Sequence, residues 1–154
     1  MNIRDAMAED AIAGCEVLKR SIAELCAVDH KNDPAILARW LGNKTIENFI
    51  AWIEQTGNSL LVAVEGRQIL AVGSVSDAGV IGLNYVSPDA RFRGVSRALL
   101  RALEHRAAER GSTRCTLTST ETARQFYLSN EYLEDGAPKG AFGAPSGYPM
   151  SKRL

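Results

Sequence analysis

One stretch of the sequence carries side chains that are well suited to hold an anion. The segment VSPDARFRGVSRALL contains Arg91, Gly94 and Ser96 in an Arg-x-x-Gly-x-Ser pattern that leads into an amphipathic helix. The first N–H groups of a helix have no internal partner and carry partial positive charge. The glycine and the small serine let an anion approach these amides, and Arg91, Arg93 and Arg97 can add charge-assisted hydrogen bonds. The pattern therefore predicts a pyrophosphate site.

The arginines continue along this helix, so a solvated arginine-rich face is the alternative to an anion site. Residues 91–110 hold six arginines against only Glu104 and Glu109, although the whole chain balances 18 basic against 18 acidic side chains. A neutral chain without aromatic residues interleaved among its arginines lacks the features of a nucleic-acid-binding protein. The order of strand, proline turn, motif and helix favours one local anion, with neither nucleic acid nor a membrane as partner.

Length and composition indicate a single soluble domain over residues 1–154. A chain of 154 residues that is 45% hydrophobic can bury a core without a metal or a disulfide. Its three cysteines and two histidines show no metal-ligand spacing, so no metal is expected. The sequence contains neither a signal-peptide pattern nor an apolar run of about 20 residues. We expect a cytoplasmic protein.

Hydrophobic periodicity predicts helices and strands in an order typical of a mixed α/β (α+β) domain. Helices are predicted over 8–27, 34–41, 45–57, 95–110 and 121–129. Strands are predicted over 59–65, 68–76, 80–86, 113–118, 131–134 and, as an edge strand, 149–154. Short turns join the first three strands into an antiparallel meander. The Gly- and Pro-rich segment 136–147 is interpreted either as one wall of a pocket or as a plain connection.

The motif and its neighbours resemble the GNAT acyltransferase superfamily. The family signature, Arg/Gln-x-x-Gly-x-Gly/Ala between a strand and a helix, is matched by RFRGVS at residues 91–96. Residues 120–132, TETARQFYLSNEY, are similar to the family's Ala-x-x-Phe-Tyr-x-x-x-Gly-Phe stretch, and order and spacing agree over roughly residues 60–135. The resemblance implies a GNAT-like fold, with a mostly antiparallel mixed sheet of about six or seven strands and about four or five flanking helices.

The resemblance also implies acetyl-CoA, or another acyl-CoA, as the donor. Its pyrophosphate is expected on the backbone amides of residues 92–97, and its pantetheine arm along a splayed strand. The implied donor-binding residues are Tyr85, Val86, Arg91, Phe92, Arg93, Gly94, Val95, Ser96, Arg97 and Thr120. Tyr127 matches the tyrosine that protonates the departing CoA thiolate in many members, since a phenol of ordinary pKa, about 10, is protonated at neutral pH. The alternative is that Tyr127 only packs beside Phe126.

Several positions depart from the family pattern. Ser96 stands in place of a Gly or Ala, and Thr120 in place of an asparagine that contacts the CoA arm. Asn130 and Glu131 replace a small residue followed by Gly. Val80 aligns with the position at which some members carry a glutamate base, so the sequence contains no obvious general base.

The remaining polar and aromatic residues of the acceptor half allow more than one interpretation. The candidates for a base are His30, Asp29, Asp33 and water bound at Asn84. Trp40 and Trp52 are expected either as core anchors or as walls of an apolar acceptor pocket. The helical first 57 residues correspond to the variable half of the family, which shapes the acceptor site.

Together these features predict an acyl-CoA-dependent N-acetyltransferase that transfers acetyl directly to a primary amine. The acceptor is expected to be a small molecule or a peptide amine, and the sequence does not identify it. The alternative is a non-catalytic acyl-CoA-binding regulatory module on the same fold, which the missing glutamate favours. A homodimer is compatible with the family.

Overall fold

The computed structural model describes residues 1–141 and 144–154, in which eight strands and six α-helices form a mixed α/β fold. The strands are β1 Asn2–Asp5, β2 Asn58–Glu65, β3 Gln68–Ser76, β4 Ile81–Val86, β5 Arg114–Ser119, β6 Leu133–Glu134, β7 Lys139–Ala141 and β8 Ala144–Arg153. The helices are α1 Ala11–Arg20, α2 Ala27–His30, α3 Pro34–Leu41, α4 Ile46–Glu54, α5 Val95–Glu109 and α6 Arg124–Ser129. The class that the sequence predicts is confirmed.

The predicted meander forms the first sheet, in which β2, β3 and β4 pair antiparallel. Side chains of β2 alternate between two buried faces, because both sides of the strand are covered by helices. Leu61 and Ala63 belong to the core that lies under α5, whereas Leu60 and Val62 belong to the core under α1 and α4. The sheet is therefore the middle layer of a three-layer structure.

Strand β1 extends this sheet and was not predicted from the sequence. It pairs antiparallel with β2, with Asn2 opposite Val64 and Asp5 opposite Leu61. Among its four residues only Ile3 is aliphatic, so the segment has no alternating pattern by which a strand can be recognised. The segment is a strand because it pairs with β2, and its own sequence does not indicate this.

The C-terminal strand is central to the second sheet, where the prediction of an edge strand was wrong. Strand β8 pairs with β5 on one side and with β6 on the other, and its first residues also pair with β7. The segment 136–147 is accordingly more than a plain connection, because it contains β7 and the start of β8. Residues 142 and 143 of this segment lie outside the described residues.

The two sheets meet at one point and then diverge. Val80 and Thr116 form a parallel bridge, and the Thr116 N–H donates to the Gly79 carbonyl at 2.9 Å. Beyond this bridge, the strand pairing of residues 1–141 and 144–154 includes no further pair between β4 and β5. A cleft therefore opens between β4 and β5 as the two strands run away from the bridge.

The first predicted helix is broken, whereas the next two begin where the sequence predicts. Instead of one helix over 8–27, a 3-10 turn at Ala8–Asp10 leads into α1, and a π-helical turn at Ser21–Leu25 follows. Helix α3 begins after Asp33, whose carboxylate accepts from the N–H groups of Ala35 and Ile36. Helix α4 begins after Thr45, whose hydroxyl oxygen accepts from an N–H, and it ends at Glu54 rather than at Gly57.

Helix α6 and strand β6 are shorter than the predictions. Residues 121–123 form a turn rather than the first turn of α6, because the N–H groups of Glu121 and Thr122 donate to the Asp29 carboxylate. Glu131 has a left-handed φ of 73°, which ends α6 and delays the next strand until Leu133.

Candidate active site

The cleft between the diverging strands encloses a cavity of about 400 Å³. Strand β4 and the turn into α5 form one side of it, and β5 and α6 form the other. All the predicted site residues except Arg93 line this cavity. The split of the sheet therefore brings together residues that lie up to 42 positions apart in the sequence, from Tyr85 to Tyr127.

The N-terminus of α5 is open toward the cavity. Gly94 is the N-cap residue with φ of 77°, and no side chain of the described residues caps the helix. The first hydrogen bond within the helix runs from the Ala98 N–H to the Gly94 carbonyl, so the N–H groups of residues 95–97 lack a helical partner. A Cβ placed on Gly94 would have no atom within 4 Å, which leaves open space in front of these amides.

The three arginines of the motif have different surroundings. Arg91 and Arg97 are exposed and line the cavity, and the Arg91 guanidinium lies 4.5 Å from the centre of the Phe92 ring. Arg93 instead binds the Glu65 carboxylate through one nitrogen, at 2.8 and 3.0 Å. The expectation that the Arg93 side chain contributes to the anion site is therefore not supported by its contacts, and only its backbone remains available for that role.

Tyr127 combines a packed ring with a hydroxyl group at the cavity. The residue is only 6% exposed, and its ring makes edge contacts with Phe126 and Tyr132 at centroid distances of 5.3 and 5.5 Å. Burial raises the pKa of Tyr127 to about 12, so its hydroxyl stays protonated at neutral pH. The two interpretations of Tyr127 from the sequence, packing and proton donation, are thus compatible in one side chain.

From the sequence, Asn84 is expected only to bind a water molecule that could act as a base. The structure makes its side chain a functional candidate. Its side-chain N–H donates to the Tyr127 hydroxyl oxygen at 3.2 Å, and this hydrogen bond lowers the pKa of Tyr127 against the effect of burial. Asn84 lines the cavity from β4. The signal in the sequence was a lone amide in the apolar strand VIGLNYV, where a polar group needs a partner.

Three of the base candidates from the sequence, His30, Asp29 and Asp33, are not among the described residues that line the cavity, whereas Asn84 is. His30 is fully buried, and because the Asn32 N–H donates to its Nδ1, its Nε2 carries the proton and donates to the Ile22 carbonyl at 2.9 Å. Asp29 accepts from the turn before α6 through three hydrogen bonds, and Asp33 caps α3. These three side chains hold helix ends and turns together.

The two tryptophans are part of the core. Trp40 is buried with Ile22 and Cys26, and its ring N–H donates to the Tyr85 hydroxyl at 3.3 Å. Burial raises the pKa of Tyr85 above its ordinary value, which keeps that hydroxyl protonated. Trp52 packs beside Phe49 under the first sheet. Neither indole is among the described residues that line the cavity, so both support its walls from behind.

The departures from the family pattern have local explanations. Ser96 lines the cavity without filling it, and the Thr120 hydroxyl oxygen accepts from the Ala123 N–H at 3.0 Å, which supports the turn before α6. Asn130 donates its side-chain N–H to the Phe126 carbonyl at 2.7 Å. Glu131 has a left-handed φ of 73°, a conformation that glycine adopts at lower cost than other residues.

The surroundings of the three cysteines are those of buried core residues. Cys15, Cys26 and Cys115 are free and buried, and burial raises the pKa of each thiol. Among the described residues, no group of three or more His, Cys, Asp and Glu side chains is placed to hold a metal ion. In the same part of the chain, no helix is long and apolar enough to span a membrane.

The split sheet, with the Arg-x-x-Gly-x-Ser turn at its open end, has the architecture of the acyltransferase class that the motif resembles. A family model described as an acetyltransferase (GNAT) domain matches residues 29–154. The chain therefore belongs to the GNAT acetyltransferase family. No curated protein matches the sequence.

Solved structures share the fold over nearly the whole chain at low sequence identity. A GCN5-related N-acetyltransferase from Rhodopseudomonas palustris has 24% identity and a TM-score of 0.87, covering 99% of this chain and 95% of that one. The PaiA N-acetyltransferase from Thermoplasma acidophilum, crystallised with coenzyme A, has 17% identity and a TM-score of 0.83, with 99% and 98% covered. A ribosomal-protein-alanine N-acetyltransferase from Brucella melitensis has 24% identity and a TM-score of 0.76, with both chains fully covered.

Proposed function

We propose that this protein transfers the acetyl group of acetyl-CoA to a primary amine. The observation that carries the proposal is the uncapped N-terminus of α5, which opens on a cavity between two diverged strands. Family membership and the coenzyme A complex of the Thermoplasma acidophilum protein support the choice of donor. The acceptor remains an amine of a small molecule or a peptide, in a protein that we expect to be cytoplasmic.

The residues at the turn into α5 fit a pyrophosphate. The N–H groups of residues 95–97 have no helical partner, and the space in front of Gly94 is open. Arg91 and Arg97 line the same cavity and supply positive charge. Strand β4 is the last strand of its sheet, so its outer backbone groups near Tyr85 and Val86 remain available to an extended arm. Thr120 lines the other side of the same cleft.

The reaction needs a proton donor for the leaving sulfur. Acetyl-CoA supplies a thioester, whose carbon–sulfur bond breaks as the acceptor nitrogen bonds to the acetyl carbon. Tyr127 gives its hydroxyl proton to the leaving sulfur, and its oxygen then recovers through water the proton that the nitrogen loses. The Asn84 N–H stabilises the Tyr127 oxygen while the proton is absent. Protons balance, and Tyr127 ends the cycle unchanged.

Binding of acetyl-CoA tests the proposal directly by calorimetry. We expect saturable binding to the native protein and none to the Gly94→Glu variant, because a carboxylate would stand in front of the α5 amides. Gly66→Glu is the matched control, since Gly66 also has a left-handed φ, of 60°, and open space around it. Failure of the native protein to bind acetyl-CoA at millimolar concentration would refute the proposal.

A non-catalytic acyl-CoA-binding module is the second candidate. It is favoured by one observation: the described residues that line the cavity include no carboxylate and no imidazole to act as a base. This candidate predicts that acetyl-CoA binds but that CoA is not released with any member of a broad amine panel. Detection of amine-dependent CoA release with a thiol reagent decides between the two.

A further inference from the structure

The N-terminal half of the chain contributes one uncharged wall to the cavity. Ser21, Leu25 and Cys26 come from the π-helical turn and the residue after it, whereas the other lining residues lie between 81 and 127. Among the described lining residues the only charged side chains are Arg91 and Arg97, which belong to the turn and helix that face the anion.

Four acidic side chains near the cleft, those of Asp29, Glu24, Asp89 and Glu65, are bound by other groups of the protein. Asp29 accepts from two backbone N–H groups and the Thr122 hydroxyl. Arg20 binds both Glu24 and Asp89, each at 2.8 Å, beside the π-helical turn. Glu65 binds Arg93, in the turn that precedes α5. Among the described lining residues, a cationic ligand in the cavity would therefore find no carboxylate as a counter-charge.

Charge then limits what can enter as the acceptor. Moving an ammonium group out of water without a counter-charge is costly. An acceptor with one amine avoids this cost when the amine loses its proton, which it must do in any case before it attacks the thioester. A second ammonium group on the acceptor adds a further cost, because it either stays charged without a counter-charge or loses a proton that the reaction does not need to remove.

We infer, building on the proposed acetyl transfer, that the acceptor is a primary amine with an apolar body and no second positive charge. Its body packs against the wall of Ser21, Leu25 and Cys26. Polyamines and other polycationic amines are excluded as preferred acceptors. The apolar wall also lowers the pKa of the bound amine, which compensates for the missing base.

A matched pair of probes tests the inference on the native enzyme. Pentylamine and 1,5-diaminopentane have the same chain and differ by one amine, and acetyl-CoA-dependent CoA release gives kcat/KM for each. We expect kcat/KM to be about tenfold higher, or more, for pentylamine than for the diamine. A free-energy penalty on the second ammonium group equivalent to one pKa unit corresponds to a factor of ten. Equal values, or a preference for the diamine, would overturn the inference.

A substitution on the uncharged wall tests where the preference arises. Leu25→Glu places a carboxylate at the wall and should reduce or reverse the preference for pentylamine, whereas Leu25→Gln, with nearly the same shape, should keep it. Unchanged acetyl-CoA binding shows that both variants are folded. A preference that is the same in both variants would remove Leu25 from the acceptor wall and contradict the inference.

Binding of the amines to the CoA-loaded protein separates the inference from the proposed function. If no CoA is released with either amine but pentylamine binds more tightly than the diamine in calorimetry, acetyl transfer fails as the function and the inference about the cavity stands. If the diamine binds as tightly, or neither amine binds, the inference fails whatever the catalytic result.

Discussion

At the scale of single residues, Tyr127 and Asn84 form a polar pair that links the two sides of the cleft. Tyr127 belongs to α6 and Asn84 to β4, and the hydrogen bond between them spans the opening at 3.2 Å. Because Asn84 donates, the Tyr127 proton must point elsewhere, and the cavity lined by both residues is where a thiolate would receive it. The pair thus fixes both the position and the direction of the proposed acid.

The Tyr127→Phe variant tests the acid role. The ring contacts with Phe126 and Tyr132 survive this change, so we expect stability and acetyl-CoA affinity close to native values. We expect kcat to fall by about 10²–10⁴-fold, the usual contribution of a general acid. Steady-state kinetics with calorimetry measures both effects, and a native kcat would exclude Tyr127 from the mechanism.

Asn84 acts through Tyr127, so its effect should depend on the tyrosine. Asn84→Ala removes the donor, raises the pKa of Tyr127 further, and should lower kcat by about tenfold, the value of a hydrogen bond of about 1.4 kcal/mol. In a Tyr127→Phe background the same change should have no further effect on kcat. Additive losses in this double-mutant cycle would show that Asn84 acts independently of Tyr127.

At the scale of elements, the first strand depends on a charged contact that ties it to the first helix. The Asp10 carboxylate accepts from the Arg4 guanidinium at 2.8 and 3.0 Å and from the Met7 N–H at 2.7 Å. The hydrogen bonds from Arg4, together with that from Met7, hold the pKa of Asp10 below its ordinary value. This contact joins β1 to the 3-10 turn that precedes α1.

The stability supplied by Asp10 should depend on pH. Because its pKa is lower in the folded state, the contribution is complete above the unfolded value of about 3.9 and is lost as pH falls through the folded value. Asp10→Asn should therefore reduce the free energy of unfolding by about 1–3 kcal/mol at pH 7. The difference in the free energy of unfolding between the native protein and Asp10→Asn, measured by urea unfolding, should become smaller below pH 4.

Glu16→Gln is the matched control for this measurement, since Glu16 is exposed on α1. It should leave the free energy of unfolding nearly unchanged at both pH values. A deficit of Asp10→Asn that is the same at pH 7 and at pH 3 would show that the charge of Asp10 does not stabilise the fold.

At the scale of the whole molecule, the cleft exists because two sheets are joined at one end only. Gly79 forms that joint: its φ is 86°, its carbonyl accepts from the Thr116 N–H, and a Cβ on it would lie 2.2 Å from the Arg114 carbonyl oxygen. Glycine is required there for both the backbone conformation and the close approach. The opening of the cleft is thus set by a backbone contact at the joint between the two sheets.

Gly79→Ala should destabilise the protein strongly. Gly66→Ala is the control, because its φ is also left-handed but no atom lies within 4 Å of the added Cβ. The control should lose about 1–2 kcal/mol from the left-handed conformation alone. Gly79→Ala should lose about 1–3 kcal/mol more, because backbone atoms must move. Equal losses in thermal or urea unfolding would mean that the joint does not need the close approach.

Much of the fold could be predicted because its signals are local. The meander, the caps at Asp33 and Thr45, and the helix after Gly94 follow from alternation, capping residues and short turns that act within a few positions. The elements that were missed or misjudged depend on distant partners. Strand β1 needs β2, β8 is central only because β5 and β6 flank it, and the turn before α6 needs Asp29.

The same division holds for the site. By itself the sequence determined the anion motif, the candidate acid Tyr127 and the family, because residues 91–96 form a local unit whose chemistry depends on neighbours in the chain. Only the tertiary structure decided that Arg93 binds Glu65, that His30 and Asp29 hold turns together, and that Asn84 donates to Tyr127. It also decided that the wall from the first half of the chain carries no charge. These are pairings between residues far apart in the sequence, and only the packing of the two sheets brings such partners within hydrogen-bond distance.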